Sequence, residues 1–255
     1  MAAEIENLPD KKSQEIHSPL HQFEVKTLIP IHLGKYDLSF TNASLFMVLG
    51  VAFTLVFFII SVRKRSLIPT KFQLIGEILY QFVAEQLEET AGKEGKTYFP
   101  FVFSLFLFIL GANLLGMIPY SYTITSQIIV TFSLAMLVFI MITCVGILRH
   151  GVRFITYFVP SGVPKILVPL IVPIELISYL SRPVSLSIRL FANMMAGHTM
   201  LKVFAIFTVT MGMWGVAPLV LNIILTLFEI MVAVLQAYVF TILTCIYLHD
   251  AIHLH

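Results

Sequence analysis

The sequence predicts an all-α polytopic membrane protein: five membrane-crossing helices plus one surface amphipathic helix, the last two crossings forming a long, steeply tilted hairpin. Three observations carry that expectation. Of 255 residues, 58% are hydrophobic and only 12% charged, about half the charge of an ordinary soluble domain. With a mean hydropathy of +0.92, the chain has too little polar surface to cover a water-soluble core. The charge is also segregated, with 21 of the 30 charged residues in 1–96 and nine in 97–255. Apolar runs long enough to cross a ~30 Å hydrocarbon core recur between short polar connections.

Residues 1–40 read as a polar leader with Pro9, Pro19 and Pro30 and no apolar signal-peptide core. Residues 41–255 read as a single membrane domain. The first span, 43–62, stops at Arg63-Lys64-Arg65. In 70–90, Phe72, Ile75, Leu79, Phe82, Val83 and Leu87 recur at helical spacing, with Glu77, Gln81, Glu85 and Glu88 between them. Such a helix is too polar to cross and is expected on the membrane surface. Span 98–118 is followed by Pro119, and span 123–148 by Arg149-His150 and Arg153. Arg63, Lys64, Arg65, Lys71, Lys93, Lys96, Arg149, Arg153 and Lys165 then all fall on one side. The positive-inside bias puts the N-terminus outside and the C-terminus inside.

The last two apolar segments, 166–211 and 219–248, hold 46 and 30 residues. As helices they would reach ~69 Å and ~45 Å, and fitting the shorter one needs a tilt near ~48°, beyond the usual ~0–40°. Pro169, Pro173 and Pro183 permit bends near the start of the first. Gly212-Met213-Trp214-Gly215 with Pro218 supplies the turn. The halves show no inverted repeat, which weakens secondary-transporter architectures.

Several function classes drop out. A net charge of +2 without a long basic run gives nucleic acid nothing to bind. P-loop, GxGxxG, HExxH and G-x-S-x-G patterns are absent from the sequence, so neither a catalytic activity of the chain alone nor a cofactor is expected. Cys144 and Cys245 sit inside apolar runs and read as small buried hydrophobes. His17, His21, His249, His253 and His255 lie near the termini and read as solvated, with no metal site expected.

Ionisable residues inside the long segments are the functional candidates, because each costs at least ~2.5–3.5 kcal/mol at the bilayer centre. They are Glu175, Arg182, Arg189, His198, Lys202 and Glu229. Arg182 and Lys202 are near enough to an interface to snorkel; Arg189, at the middle of its segment, is not. Glu175, Arg182 and Arg189 step by seven, so they drift only ~20° per step around one helix face. Ser178, Ser185 and Ala196 share that face, with Asn193 close by. Small residues around an arginine allow another helix to come close. His198 points about 180° away. Asn222, Glu229 and Gln236 likewise form a polar line on the last helix. His198 and Glu229 belong to the outer half and Glu175 to the inner half. That is the layout of two offset half-channels separated by a fixed positive charge.

The run SLSIRLFANMMAGH over 185–198 resembles the signature helix of subunit a of F-type ATP synthases. LQAYVFTILTCIYLHDAI over 235–252, GANLLGMIPY over 111–120 and ELISY over 175–179 are similar to further blocks of that family. The likeness runs from about residue 18 to the end. It implies a stator in the proton-conducting sector of an ATP synthase, beside a ring of c subunits and with peripheral-stalk b subunits as neighbours. It also implies that Arg189 is the stator arginine facing the ring carboxylates. By the same likeness His198 and Glu229 match the proton inlet pair, in the arrangement of mitochondria and their bacterial relatives. Gln236 and Asn193 match polar residues flanking the path, and Glu175 and Ser185 the exit side. In the family the position of Gly116 is sometimes an acid. The implied location is an energy-transducing membrane, either a bacterial or a mitochondrial inner membrane.

The residues leave an alternative open, a self-contained ion channel or antiporter. The stripe containing Arg189 discriminates: a stator presents it to another chain, whereas a channel turns it toward its own pore.

Overall fold

The long apolar runs fold as helices, and the breaks between them fall at glycine, proline and hydroxyl-rich positions. The computed structural model describes residues 22–30, 32–33, 36–37, 39–63, 69–118, 121–151, 154, 164 and 167–253. Most of the leader, with His17 and His21, lies outside the described residues, as do Lys64, Arg65, Pro119, Arg153, Lys165 and His255. The helices are α1 (Asn42–Arg63), α2 (Lys71–Gly95), α3 (Phe99–Gly116), α4 (Ile128–His150), α5 (Val168–Thr210) and α6 (Val216–Ile252). Five helical stretches are long and apolar enough to cross a membrane, with α2 and α3 running together as one of them.

The end of the leader is not featureless. Thr27–Ile29 pairs antiparallel with Phe40–Thr41, and between them His32–Leu33 pairs with Tyr36–Asp37. Asn42 fastens this hairpin to the start of α1. Its Nδ2 donates to the Glu24 carbonyl at 3.0 Å, and its Oδ1 accepts from the Lys26 and Ala43 N–H groups at 3.1 and 2.8 Å.

α2 is amphipathic from Leu79 onward as its spacing predicts, whereas Phe72 and Ile75 near its start are exposed. Val83, Leu87 and Ala91 are buried, while Glu77, Glu85 and Glu88 are exposed. Thr70 caps it, and Gln73–Glu77 and Gln81–Glu85 hydrogen bonds one turn apart line its polar side. Gly76 lets α2 close on α1, because a Cβ there would lie 2.8 Å from Ser61 Cβ. At Gly92 a positive φ of 67° breaks the helix, a conformation that favours glycine.

α3 is the central helix, buried on most of its circumference from Val102 to Gly116. Its Asn113 Nδ2 donates to the Ala233 carbonyl of α6 at 3.1 Å. Span three starts later than its apolar run suggests, at Ile128 instead of 123. Thr123 to Ser126 turn as a short 3₁₀ segment, in which the Ser126 hydroxyl donates to the Thr123 carbonyl at 2.6 Å. Local side-chain bonds of this kind compete with the helix.

α5 and α6 are 43 and 37 residues long, ~65 Å and ~56 Å. Such helices fit a ~30 Å core only by tilting steeply or running beyond it. They join through a 3₁₀ turn at Gly212–Gly215. Gly212 has a φ of 55°, and a Cβ at Gly215 would strike the Thr208 carbonyl oxygen. Pro218 does not lie in the turn; it is buried in the first turn of α6, where its missing N–H leaves no bond unmade. The hairpin turn is therefore tighter than the sequence suggests, and α6 begins at Val216.

The core gathers Leu87, Val102, Ile109, Val138, Leu190, Met194 and Leu248 from α2 to α6. Outward faces remain apolar, with Val48, Leu55, Ile59, Ile177, Ile224 and Leu227 all exposed. Cys144 belongs to such an outward face. The sequence reading of both cysteines as buried holds for Cys245 only, because an apolar run in a membrane protein does not say which side faces lipid. His249 is half-buried, its ring centroid 4.6 Å from that of His253 and tilted against it by 32°, so it is not the solvated terminal residue expected.

Candidate functional site

α5 has two unlike faces. Tyr179, Pro183, Leu186, Leu190 and Met194 recur at three- and four-residue spacing and are buried against the rest of the protein. Ser178, Ser185, Arg189, Asn193 and Ala196 lie on an exposed face roughly 100° round the helix from that buried one, with Glu175 half-buried toward the N-terminal end of α5. Arg189 is the central residue of α5, equally far from both ends. It makes no hydrogen bond, ion pair or ring contact with any described residue.

Arg182, two turns before it and only about 20° round the helix, behaves otherwise. Its guanidinium reaches Asp250 Oδ2 of α6 at 3.4 Å and lies over the rings of Tyr247 and Tyr179, 4.8 and 5.3 Å from their centroids. It is held by its own chain and does not snorkel, because α6 runs on past residue 248 and carries Asp250 to it.

The half of the hairpin nearer its turn holds the second group. His198 of α5 and Glu229 of α6 face each other, with Nδ1 to Oε1 at 3.6 Å and both side chains nearly sealed from solvent. Neither carboxylate oxygen of Glu229 has a hydrogen-bond partner among the described residues. A small further approach of the two side chains makes the hydrogen bond, and such bonds are often long before the working complex forms. The close approach depends on Gly197, since a Cβ there would sit 2.5 Å from Glu229 Oε1. A buried ionisable group that makes no hydrogen bond is costly and persists where function needs it.

An aqueous-sized cavity of about 790 Å³ leads to this pair. Its polar lining includes Thr123, His198, Lys202, Asn222 and Thr226, and its rim includes Glu24 and Lys26 of the N-terminal segment. His198 lines the cavity and Glu229 does not, so the imidazole stands between the cavity and the carboxylate. On its other side, Nε2 of His198 lies 2.9 Å from Thr123 Oγ1. Tyr122 and Gln127 close the rim by donating to the Phe23 carbonyl at 3.4 and 3.0 Å. Burial raises the Tyr122 phenol above its usual pKa, which keeps that donor protonated.

The structure thus brings His198 and Glu229 together and keeps Arg189 and its exposed stripe apart from them. Gln236 lies half-buried two turns beyond Glu229, and Ser185 and Asn193 flank Arg189. Lys202 lines the cavity on the His198 face of α5, one turn on. Sequence reasoning missed Thr123, Gly197 and the part that Gln22, Phe23, Glu24 and Lys26 play in lining the cavity. The glycine beside His198 was a readable signal, whereas the loop threonine was not. Among the described residues, no three histidine, cysteine or acidic side chains converge as metal ligands do.

Ionisable residues buried within long apolar helices, an aqueous cavity reaching them, and an arginine turned outward at mid-helix define a membrane protein that moves ions together with another chain. The chain belongs to the ATP synthase A chain family, whose model matches residues 44–249. It is 56% identical over 240 residues to ATP synthase subunit a of Pelagibacter ubique (strain HTCC1062), covering 93% of this chain and 98% of that one. Against ATP synthase subunit a of Agrobacterium fabrum the identity is 55% over 244 residues, with 93% and 98% covered. The counterpart from Bartonella tribocorum is 55% identical over 242 residues, with 92% and 96% covered.

Proposed function

We propose that this chain is the proton-translocating stator subunit of a rotary F-type ATP synthase, working beside a ring of c subunits, with peripheral-stalk b subunits as further neighbours. Family membership supports the role in ATP synthesis and proton transport. The observation that carries the mechanism is Arg189. A midplane arginine has no reason to stay charged and unpaired against lipid. On this exposed face, with Ser185, Asn193 and Ala196 allowing close approach, its partner is an acidic group on another chain. A self-contained channel or antiporter would turn it inward, where α5 instead presents Leu186, Leu190 and Met194.

In this reading protons enter from the outer cavity at His198, pass from Nδ1 to Glu229, and go on to a ring carboxylate, with Gln236 and Asn193 flanking the path. The ring carries them round through lipid. Near Arg189 each carboxyl group gives up its proton toward Ser185 and Glu175 on the inner side. The chain contributes no catalytic site of its own. Residues 1–40 lie outside, residues 41–255 form one membrane domain, and the C-terminus is inside. The similar proteins from bacteria support a bacterial inner membrane over a mitochondrial one.

Two experiments test this. Solubilised in mild detergent, the chain should co-purify with a ring subunit, and when reconstituted alone it should conduct no protons. Robust conduction by the lone chain would overturn the stator reading. Cysteines placed at Glu77 and Glu88 should both be labelled from the inner compartment, since α2 bears its glutamates along one exposed side and basic residues flank it. Labelling from opposite compartments would overturn the topology.

A further inference from the structure

Thr123 stands at the outer end of the relay, on the non-helical stretch between α3 and α4, and is itself buried. Its position is held from both directions. Before it, the Ser121 hydroxyl bonds to the Leu115 and Gly116 carbonyls at 2.8 and 3.0 Å. After it, Ser126 returns both its hydroxyl and its N–H to the Thr123 carbonyl, at 2.6 and 3.2 Å. Gly116 gives the side chain room, because a Cβ there would come 2.8 Å from Thr123 Cγ2 and 3.1 Å from Oγ1. Packing this tight leaves the hydroxyl hydrogen as the freedom that remains.

That hydroxyl has two partners. His198 Nε2 lies 2.9 Å away and the Gly116 carbonyl 3.4 Å away. A threonine hydroxyl can donate once and accept twice. Turned toward the carbonyl, it accepts from an Nε2–H; turned toward the ring, it donates to a bare Nε2. A neutral imidazole presents one or the other, and which nitrogen holds the proton follows from the bonds each makes.

We propose that Thr123 is a positioning residue that keeps Nδ1 of His198 aimed at Glu229 in both neutral forms of the ring, by rotating its hydroxyl between Nε2 and the Gly116 carbonyl. The inference rests on the relay reading of His198 and Glu229 given above. In each relay event one proton arrives from the cavity at Nε2 and one leaves Nδ1 for Glu229 Oε1. The ring ends neutral with its proton on Nε2, and the hydroxyl turns from donor to acceptor. The first form returns when Nε2 gives its proton back to cavity water and cavity water passes one to Nδ1, so that each full cycle delivers one net proton to Glu229. Without this hydroxyl, Nε2 is unmet in both neutral forms, as a donor in one and an acceptor in the other, and the ring is free to flip.

The test uses the assembled synthase in vesicles, with ATP synthesis driven by an imposed proton gradient. Thr123→Val keeps the shape and removes the hydroxyl, and it should lower synthesis by on the order of tenfold, as loss of a ring-orienting partner does elsewhere. Thr123→Ser keeps the hydroxyl and should stay within about twofold of wild type. Equal losses in both variants, or wild-type synthesis in Thr123→Val, would overturn the proposal. Glu229→Gln, run alongside, separates the two levels. Wild-type synthesis there removes the relay reading itself, whereas its loss with an unaffected Thr123→Val removes only the role of Thr123. Where Thr123→Val fails to assemble, nitrogen-15 solid-state NMR of the wild-type complex decides, with the His198 signal assigned by its loss in His198→Gln. A through-space contact from the Thr123 side chain to Nε2 supports the proposal, and a contact to Nδ1 overturns it.

Discussion

Glu229→Gln is expected to reduce proton-driven ATP synthesis by at least ~10²-fold, the lower end of what a positioned acid–base group contributes. Glutamine fills the same volume against Gly197 and still reaches His198, so packing and assembly should survive. What it lacks is a proton to pass on. The effect should be large because the relay has no visible detour. Glu229 is absent from the cavity lining, and His198, 3.6 Å away, is the polar group that reaches it from the cavity side. Glu229→Asp should fall between the two, since a side chain one methylene shorter draws the carboxylate back from Nδ1 and lengthens a gap already beyond hydrogen-bond reach. Synthesis rates at fixed proton-motive force decide the point. Wild-type rates in Glu229→Gln would take this residue out of the proton path.

Much of the fold was legible because hydrophobic runs in a membrane protein are long and their interruptions abrupt. The helices lie close to the sequence-based bounds, and Gly92, Gly212 and Gly215 mark breaks where the chain bends. Start and end points shifted where short-range chemistry outweighs hydropathy. The hydroxyls of Thr123–Ser126 delay α4, and Pro218 is accepted into the first turn of α6. Hydropathy also cannot tell a core face from a lipid face, which is why Cys144 was misplaced while Cys245 was not.

The candidate site divides along the same line. Residues on one continuous helix could be ordered by depth and angle from sequence, so the separation of Arg189 from His198 and the matched depth of His198 and Glu229 were both readable. Contacts made across the fold were not. Thr123 is 75 residues from His198, and Asn113 is 120 residues from the carbonyl it holds. Neither follows any helical period. Arg182 illustrates the same limit: its step of seven from Arg189 suggested a shared stripe, but Asp250 on the neighbouring helix draws its side chain inward.

Arg189→Ala should abolish coupled synthesis and open a passive proton leak, and Arg189→Lys should fail as well. A ring carboxyl group must be neutral to face lipid, because a bare carboxylate there is costly, and it must ionise where it hands over its proton. An opposite charge within ~4–6 Å favours the ionised form. An exposed arginine at the centre of α5, without a partner among the described residues, would supply that charge to each passing carboxylate. The same charge would repel a proton hopping directly from the Glu229 side to the Glu175 side, and so would keep the two proposed half-paths separate. The driving force is only ~2.3 kcal/mol per proton for each 100 mV, and a modest leak therefore dissipates much of it. Lysine keeps the charge but loses the planar, weakly hydrated fork, and a buried lysine can release its proton. Synthesis and passive conduction measured on the same vesicles give two readouts that should move in opposite directions for Arg189→Ala. An Arg189→Ala complex that still makes ATP from a proton gradient would leave the mid-helix arginine without a part in coupling. The exposed stripe around it would then be a packing surface only.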